Sequence, residues 1–242
     1  MEELHRNYYT ESLSQNKIQQ ADLKTFALVS RKFDWNYRRF LVQLPRDAAI
    51  LDIGCGLGQF VYYLTTQGFM NVQGVDISAD LVQLAQQIQP DTHFTHTDDS
   101  IRFLRSNVES FDVITMNDVL EHVPLEQLIP MMHAVYSALK PGGFVLIKTI
   151  NAAFPFGYAS RYIDLTHTTS FHEKSITQLL RHTGFAEIKC FQEEIGIYNP
   201  LFLFKKLIVV CVRTFVRALI YFSEANWPRI ISLNLIAYAR KQ

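Results

Sequence analysis

The sequence predicts an α/β domain built on a mostly parallel sheet, and three observations predict it. Ile50–Ile53 is a short apolar run broken only by Asp52, the pattern of a strand buried on both faces. Gly54, Gly56 and Gly58 follow at once, and a helical pattern opens behind them with Phe60, Val61 and Leu64. Strand-like and helix-like segments then alternate along the chain, as βαβ units require. A strand, a glycine turn and a helix start bring backbone N–H groups and a positive helix end to one point. Glycine has no Cβ, so a ligand can approach the backbone closely. This geometry points to a bound small molecule.

Composition narrows the class. The chain has 242 residues, suited to one large domain, and 48% of them are hydrophobic. Lys plus Arg and Asp plus Glu both number 23, so no global field attracts nucleic acid, and none is expected as a partner. Cys55, Cys190 and Cys211 show no C-x-x-C spacing, which argues against a disulfide framework or zinc finger and for a cytoplasmic location. The opening Met1–Arg6 has no apolar core of a signal peptide.

Each element then follows in order. Leu23, Phe26, Ala27 and Ser30 have helical spacing, and the helix is expected to run on to Pro45. After the glycine loop, a helix ends at Gly68 and a second strand occupies Asn71–Ile77. Asp76 stands at that strand's end, roughly twenty residues past the glycines, where a carboxylate can accept from ribose hydroxyls. Ser78 is positioned to cap the helix Ala79–Ile88. His93–Thr97 reads as a third strand, with Asp98 and Asp99 beyond it and a helix over Ile101–Ser106. Phe111–Met116 is the fourth strand, Glu126–Leu139 an amphipathic helix, and Lys140–Gly143 a tight turn into a fifth strand, Phe144–Ile150. Glu173–Thr183 is a helix, and Ala186–Gln192 and Leu233–Ala239 are strands.

The glycine spacing is G-x-G-x-G, with Asp52 two residues ahead, rather than the dinucleotide G-x-G-x-x-G. In this, and in Asp76, Asp98-Asp99, Asn117–Pro124 (a D-x-L-E-H-V segment) and Leu139–Gly143 (L-K-P-G-G), the chain resembles the class I, Rossmann-like S-adenosylmethionine-dependent methyltransferases. The resemblance covers about Ala48 to Phe185. It implies a doubly wound, seven-stranded sheet with its last strand antiparallel, in a single domain of four parts. Residues 1–47 are expected to form a helical lid, 48–192 the cofactor-binding core and 233–242 the last strand, while 193–232, a helical insertion, departs from the family pattern. It implies S-adenosylmethionine as cofactor, held by Asp52, Gly54, Cys55, Gly56, Gly58, Asp76, Ile77, Asp98 or Asp99, and Asn117. Tyr8 or Tyr9 of the lid would touch the site.

The acceptor site is expected in Asn151–Phe171, whose aromatic walls and few polar groups suit a small molecule. Tyr158, Arg161, Tyr162 and Asp164 are candidate acceptor contacts. The D-x-T-H-x-x-x-F run from Asp164 to Phe171 resembles a segment of some bacterial methyltransferases of surface-glycan biosynthesis. A saccharide or lipid-linked glycan is therefore the first expected acceptor. A small lipophilic or aromatic metabolite such as a quinone is the alternative, and a cofactor-binding scaffold without turnover the third reading. A hydroxyl nucleophile needs a base, and His167, then His122, are the candidates. His167, His172 and Asp164 form a conceivable 2-His-1-carboxylate set, but the spacing is generic and no metal is assigned. Leu201–Phe222 is apolar yet holds Lys205, Lys206, Arg213 and Arg217, too many cations for a spanning helix. Three of them fall on one face, the pattern of a helix lying on a membrane surface, with a helix packed on its own domain or on a partner subunit, its cations solvated, as the other reading.

Overall fold

A computed structural model describes residues 23–154, 157–222 and 229–242, with the side chains of residues 157, 158, 220 and 221 left aside. Tyr8 and Tyr9 lie outside the described residues, as does the side chain of Tyr158.

Seven strands form one sheet in the order β3-β2-β1-β4-β5-β7-β6. They are β1 (Ile50–Ile53), β2 (Val72–Asp76), β3 (His93–His96), β4 (Phe111–Asn117), β5 (Leu139–Ile150), β6 (Ala186–Gln192) and β7 (Asn234–Arg240). The first five pair in parallel, and β7 runs antiparallel to both β5 and β6. The doubly wound sheet with a reversed last strand is thus the observed fold.

Period-two alternation splits the core into two layers. Leu51, Ile53, Val145, Ile147, Leu235 and Ala237 face one layer, and Ile50, Phe144, Leu146, Ile236 and Tyr238 face the other. On the first side pack α4 (Ser100–Arg105), α5 (Leu125–Ala138) and α7 (Glu173–His182), through side chains such as Leu104, Met132 and Leu180. On the second pack α1 (Leu23–Leu41), α2 (Gln59–Thr66) and α3 (Ala79–Ile88), through Tyr37, Phe60, Leu64 and Ala85. The strand order reverses between β1 and β4, so a crevice opens at their carboxyl ends.

Some boundaries differ from expectation. The first helix stops at Leu41, ahead of Pro45, in a turn closed by Leu44 N–H on the Leu41 carbonyl. The Lys140–Gly143 turn is absorbed into β5, because Leu139 already pairs with Phe111 across a register shift. Gly157–Tyr162 forms a short helix, α6, within the segment expected to hold the acceptor site. The cation-rich segment forms α8 (Pro200–Phe222). Three of its four cations, however, turn toward the domain, while Lys205 is exposed over the Phe202 ring of the same helix. Arg213 is 11% exposed and pairs with Glu194 at 3.2 Å, Lys206 lies over the Trp35 ring, and Arg217 donates to the Arg229 carbonyl. The outward face is apolar instead, with Leu203, Phe204, Leu207, Val210, Phe215 and Leu219 all exposed. Among the described residues no helix is long and apolar enough to cross a membrane.

Candidate active site

The crevice is built first from the glycine loop. Gly54, Gly56 and Gly58 all have positive φ, at 68°, 52° and 76°. Two of the three also need the missing side chain. A Cβ on Gly54 would collide with the Val119 side chain, and one on Gly58 would come within 2.6 Å of the Phe94 ring. At Gly56 the same position faces open space, so this backbone lies bare toward the crevice. Gly54 and Cys55 donate their N–H groups to the Val75 carbonyl, tying the loop to β2. The Cys55 side chain is buried against Gly74, where a Cβ would meet its sulfur at 2.8 Å, and burial pushes its thiol pKa up. It packs the loop from below.

Asp76 closes the loop from the β2 side. Its carboxylate accepts from Gly56 N–H at 2.7 Å and from Ser78 N–H at 2.8 Å. Ser78 in turn caps α3, accepting from Leu81 N–H. The helix-start reading of Asp76-Ile77-Ser78 thus holds, and it leaves the Asp76 carboxylate at the glycine loop. Ile77 is exposed just beyond. Of the two acidic residues past β3, Asp99 caps α4 by accepting from Arg102 N–H at 2.9 Å. Asp98 reaches outward at the carboxyl end of β3, 3.7 Å from His96.

The ends of β1 and β4 carry a buried polar chain. Asp52 accepts from the Thr115 hydroxyl at 2.6 Å and lies near the Asn117 amide at 3.5 Å. Asn117 accepts from the Tyr37 hydroxyl, which descends from α1. Burial pushes the Asp52 carboxyl up to about 7, against the pull of the Thr115 and Asn117 hydrogen bonds. Asp118 follows with φ 56° and pairs with the buried Lys148 at 2.6 Å. Burial opposes the Lys148 charge, but Asp118, Glu193 and Glu121 together outweigh it and hold the ammonium above its ordinary value.

Beyond Asp118 the chain turns through the short 3-10 segment Leu120–His122. Glu121 is 1% exposed and accepts from the Thr149 hydroxyl at 2.9 Å. Burial, then Asp118, raises its pKa. The loop after α6 docks on this turn: Thr168 N–H and hydroxyl both donate to the Glu121 carbonyl, at 2.7 and 3.0 Å. Docking brings His167 against His122, with ring centroids 4.7 Å apart. The His122 Nδ1 contacts the Thr166 hydroxyl at 2.9 Å, which donates to Asp164 at 2.6 Å. The His167 Nδ1 contacts the Ser160 carbonyl at 3.0 Å. Burial opposes the Asp164 charge, but the Thr166 hydroxyl and amide hold its pKa below the ordinary value.

The sequence candidates thus divide. His122, His167 and Asp164 converge on one point. Arg161 braces their loop, donating to the Thr168 carbonyl at 2.8 Å, and Tyr162 is exposed beside it. His172 stands apart from them: it caps α7, accepting from Lys174 N–H at 3.0 Å. Sequence reasoning missed Glu121, Tyr37 and Thr166 as members of the site. Tyr37 had a signal, since Phe26, Phe33, Tyr37 and Leu41 recur at steps of seven and four on one helical face. The polar role of its hydroxyl had none.

The crevice fits an S-adenosyl nucleoside: a bare glycine backbone, a carboxylate at the end of β2 and an acidic residue past β3. Comparison with known proteins agrees. A family profile described as a methyltransferase domain matches residues 27–189. A ubiquinone biosynthesis O-methyltransferase of Hydrogenovibrio crunogenus is 35% identical over 115 residues, 45% of either chain. The chain thus aligns with less than half the length of that relative. A crystal structure of an S-adenosylmethionine-dependent methyltransferase from Archaeoglobus fulgidus superposes with a TM-score of 0.66 at 21% identity, covering 89% of this chain and 94% of the other. Phosphoethanolamine N-methyltransferase 2 of Haemonchus contortus, solved with S-adenosylmethionine, superposes at 0.57 with 19% identity, over 98% of this chain and 59% of the other. At such identities the superpositions speak for the fold.

Proposed function

The chain belongs to the methyltransferase domain family, and from that premise we propose that it methylates a hydroxyl of a small lipophilic or aromatic acceptor. It is an S-adenosylmethionine-dependent methyltransferase, and that cofactor is its methyl donor. The observation that carries the proposal is the His122–His167 pair, 4.7 Å apart beyond the end of β4. Two imidazoles beside the donor crevice suit an acceptor that must lose a proton as it attacks.

The residues divide the work as follows. Asp76 takes the ribose hydroxyls. A carboxylate has about four lone-pair positions, enough to hold the loop amides and two hydroxyls together. Gly54, Gly56 and Gly58 admit the cofactor against bare backbone, and Asp98 reaches its adenine. Asn117 and Asp52 line the methionine half from below. S-adenosylmethionine supplies an activated methyl on a sulfonium centre. Arg161, Tyr162 and Asp164 shape the acceptor side, where His167 or His122 receives the acceptor's proton at Nε2. Holding donor and acceptor in line supplies much of the acceleration.

The ubiquinone biosynthesis O-methyltransferase relative supports a lipophilic or aromatic acceptor over the saccharide suggested by the Asp164–Phe171 run. The apolar outward face of α8 supports the same choice, because a lipophilic acceptor dissolves in a bilayer that such a face would meet. We extend the proposal to peripheral membrane contact through 201–222.

The test pairs donor binding with an acceptor panel. Calorimetric titration with S-adenosylmethionine should give a single site, weakened about 10- to 100-fold in Asp76→Ala, for loss of about 1.5–3 kcal/mol of charge-assisted hydrogen bonding. Isotope transfer from labelled donor should then proceed to catechols and alkylated phenols. Transfer to sugar nucleotides alone would restore the saccharide reading. Donor binding with no transfer to either class would favour a scaffold without turnover.

A further inference from the structure

We propose that Glu121, His122 and His167 form a binding site for one divalent transition-metal ion of the zinc type. One ligating atom from each of the three lies within 4.8 Å of the other two. The residues come from two segments 45 positions apart, brought together by Thr168 on the Glu121 and Val123 carbonyls. That docking gives the trio a fixed frame.

The hydrogen bonds behind the ligands carry the argument further. A carbonyl oxygen can only accept, so the His167 Nδ1 facing the Ser160 carbonyl bears the proton. The Thr166 hydroxyl spends its hydrogen on Asp164, so it accepts from the His122 Nδ1. Both imidazoles are thereby set as the same tautomer, with the lone pair on Nε2. Metal-bound histidines are oriented in this way, by a carbonyl or a carboxylate-backed group on the second nitrogen. Glu121 has the matching support, since the Thr149 hydroxyl holds its Oε2.

The donor set selects the ion. Two imidazoles and one carboxylate suit zinc, cobalt or manganese and are poor for magnesium and calcium, which prefer all-oxygen shells. Three protein ligands leave a coordination position for an outside oxygen, the arrangement of catalytic rather than structural zinc. Around an ion with bonds of about 2.0–2.2 Å, ligand atoms stand about 3.0–3.4 Å apart, so binding would draw the trio together by about 1.5 Å. The two rings are inclined at 56° and half-buried, so side-chain rotation within the docked frame would supply this adjustment. Under the hydroxyl-methylation reading, the open position would take the acceptor oxygen and lower its pKa, in place of direct proton abstraction by an imidazole. The existence of the metal site does not depend on that reading.

The experiment titrates metal-stripped protein with Co²⁺ and reads its visible d–d absorption, then displaces it with Zn²⁺. One equivalent is expected, quenched by Zn²⁺, with Zn²⁺ raising the melting temperature of the wild type by mass action. His167→Gln should lose the absorption and the thermal shift. Thr166→Val keeps all three ligands but frees the His122 ring, and should weaken Co²⁺ about 10- to 100-fold. His172→Gln, outside the trio, should bind as wild type does. No d–d signal in the wild type, equal signal in His167→Gln, or loss of signal in His172→Gln would overturn the site. A failed acceptor panel would leave this titration unchanged, and a failed titration would leave donor binding and its Asp76 dependence unchanged.

Discussion

Asp52 shows how much a single buried group can report. It is 3% exposed on a central strand, and burial pushes its carboxyl up to about 7. In the unfolded chain an aspartate titrates near 3.9, to order of magnitude. Below that value both states hold the proton, and the folded state has its full advantage. Between roughly 4 and 7 the unfolded chain releases the proton while the folded chain keeps it, so stability falls as pH rises through that window. Asp52→Asn removes the titration and keeps an acceptor for Thr115. Urea unfolding at pH 5 and pH 8 should therefore show the wild type losing on the order of a few kcal/mol relative to Asp52→Asn. Parallel pH profiles for the two proteins would refute the assignment. The presence of Asp52 beside the glycines was legible from sequence. Its elevated pKa was not, because it arises from burial between apolar layers drawn from distant parts of the chain, against the opposing pull of Thr115 and Asn117.

At the scale of elements, α1 and α8 repay comparison. α1 packs where its period places it: Phe33 and Tyr37 each stand edge-on to Phe60 of α2 at 4.9 Å, and Phe26 is fully buried. The Tyr37 hydroxyl then reaches across to Asn117, so a leading helix braces the end of β4. Tyr37→Phe keeps the ring contacts and removes that bond, leaving a partly buried amide oxygen short of a donor. A loss of about 1–3 kcal/mol is expected, read as a shift of the denaturant midpoint at constant slope. An unchanged midpoint would show that the hydroxyl contributes nothing. In α8 the sequence pattern pointed the wrong way. Lys206, Arg213 and Arg217 do share a face, but Glu194, Trp35 and the Arg229 carbonyl supply partners on the domain side. Cations with inward partners stay inward, and aliphatic and aromatic side chains are left outside.

The whole molecule presents that apolar helix face on an otherwise charge-balanced surface. Exposed apolar stretches of this length mark a contact with another surface. The expected surface is lipid, which also holds the proposed acceptor. The wild type should co-float with vesicles of phosphatidylcholine and phosphatidylglycerol. Phe204→Glu combined with Phe215→Glu should abolish flotation without altering S-adenosylmethionine binding, since both positions point away from the domain. Wild-type protein that stays off vesicles and sediments as a dimer, which the double substitution dissociates, would assign the face to a second copy instead.

By itself the sequence determined the alternating strands and helices, the reversal of the last strand through its resemblance, and which residues stand at the glycine loop and the end of β2. Those features are local: a glycine loop, a carboxylate at a strand end and a capped helix lie within about thirty consecutive residues. Only the tertiary structure decided which of the candidates beyond β4 and β5 meet. Glu121, His122 and His167 meet because a loop from beyond β5 docks on a turn after β4, and three cations of α8 turn inward because their partners lie there. Neither fact is written in spacing, since each depends on which distant carbonyl, carboxylate or ring stands opposite once the sheet has closed.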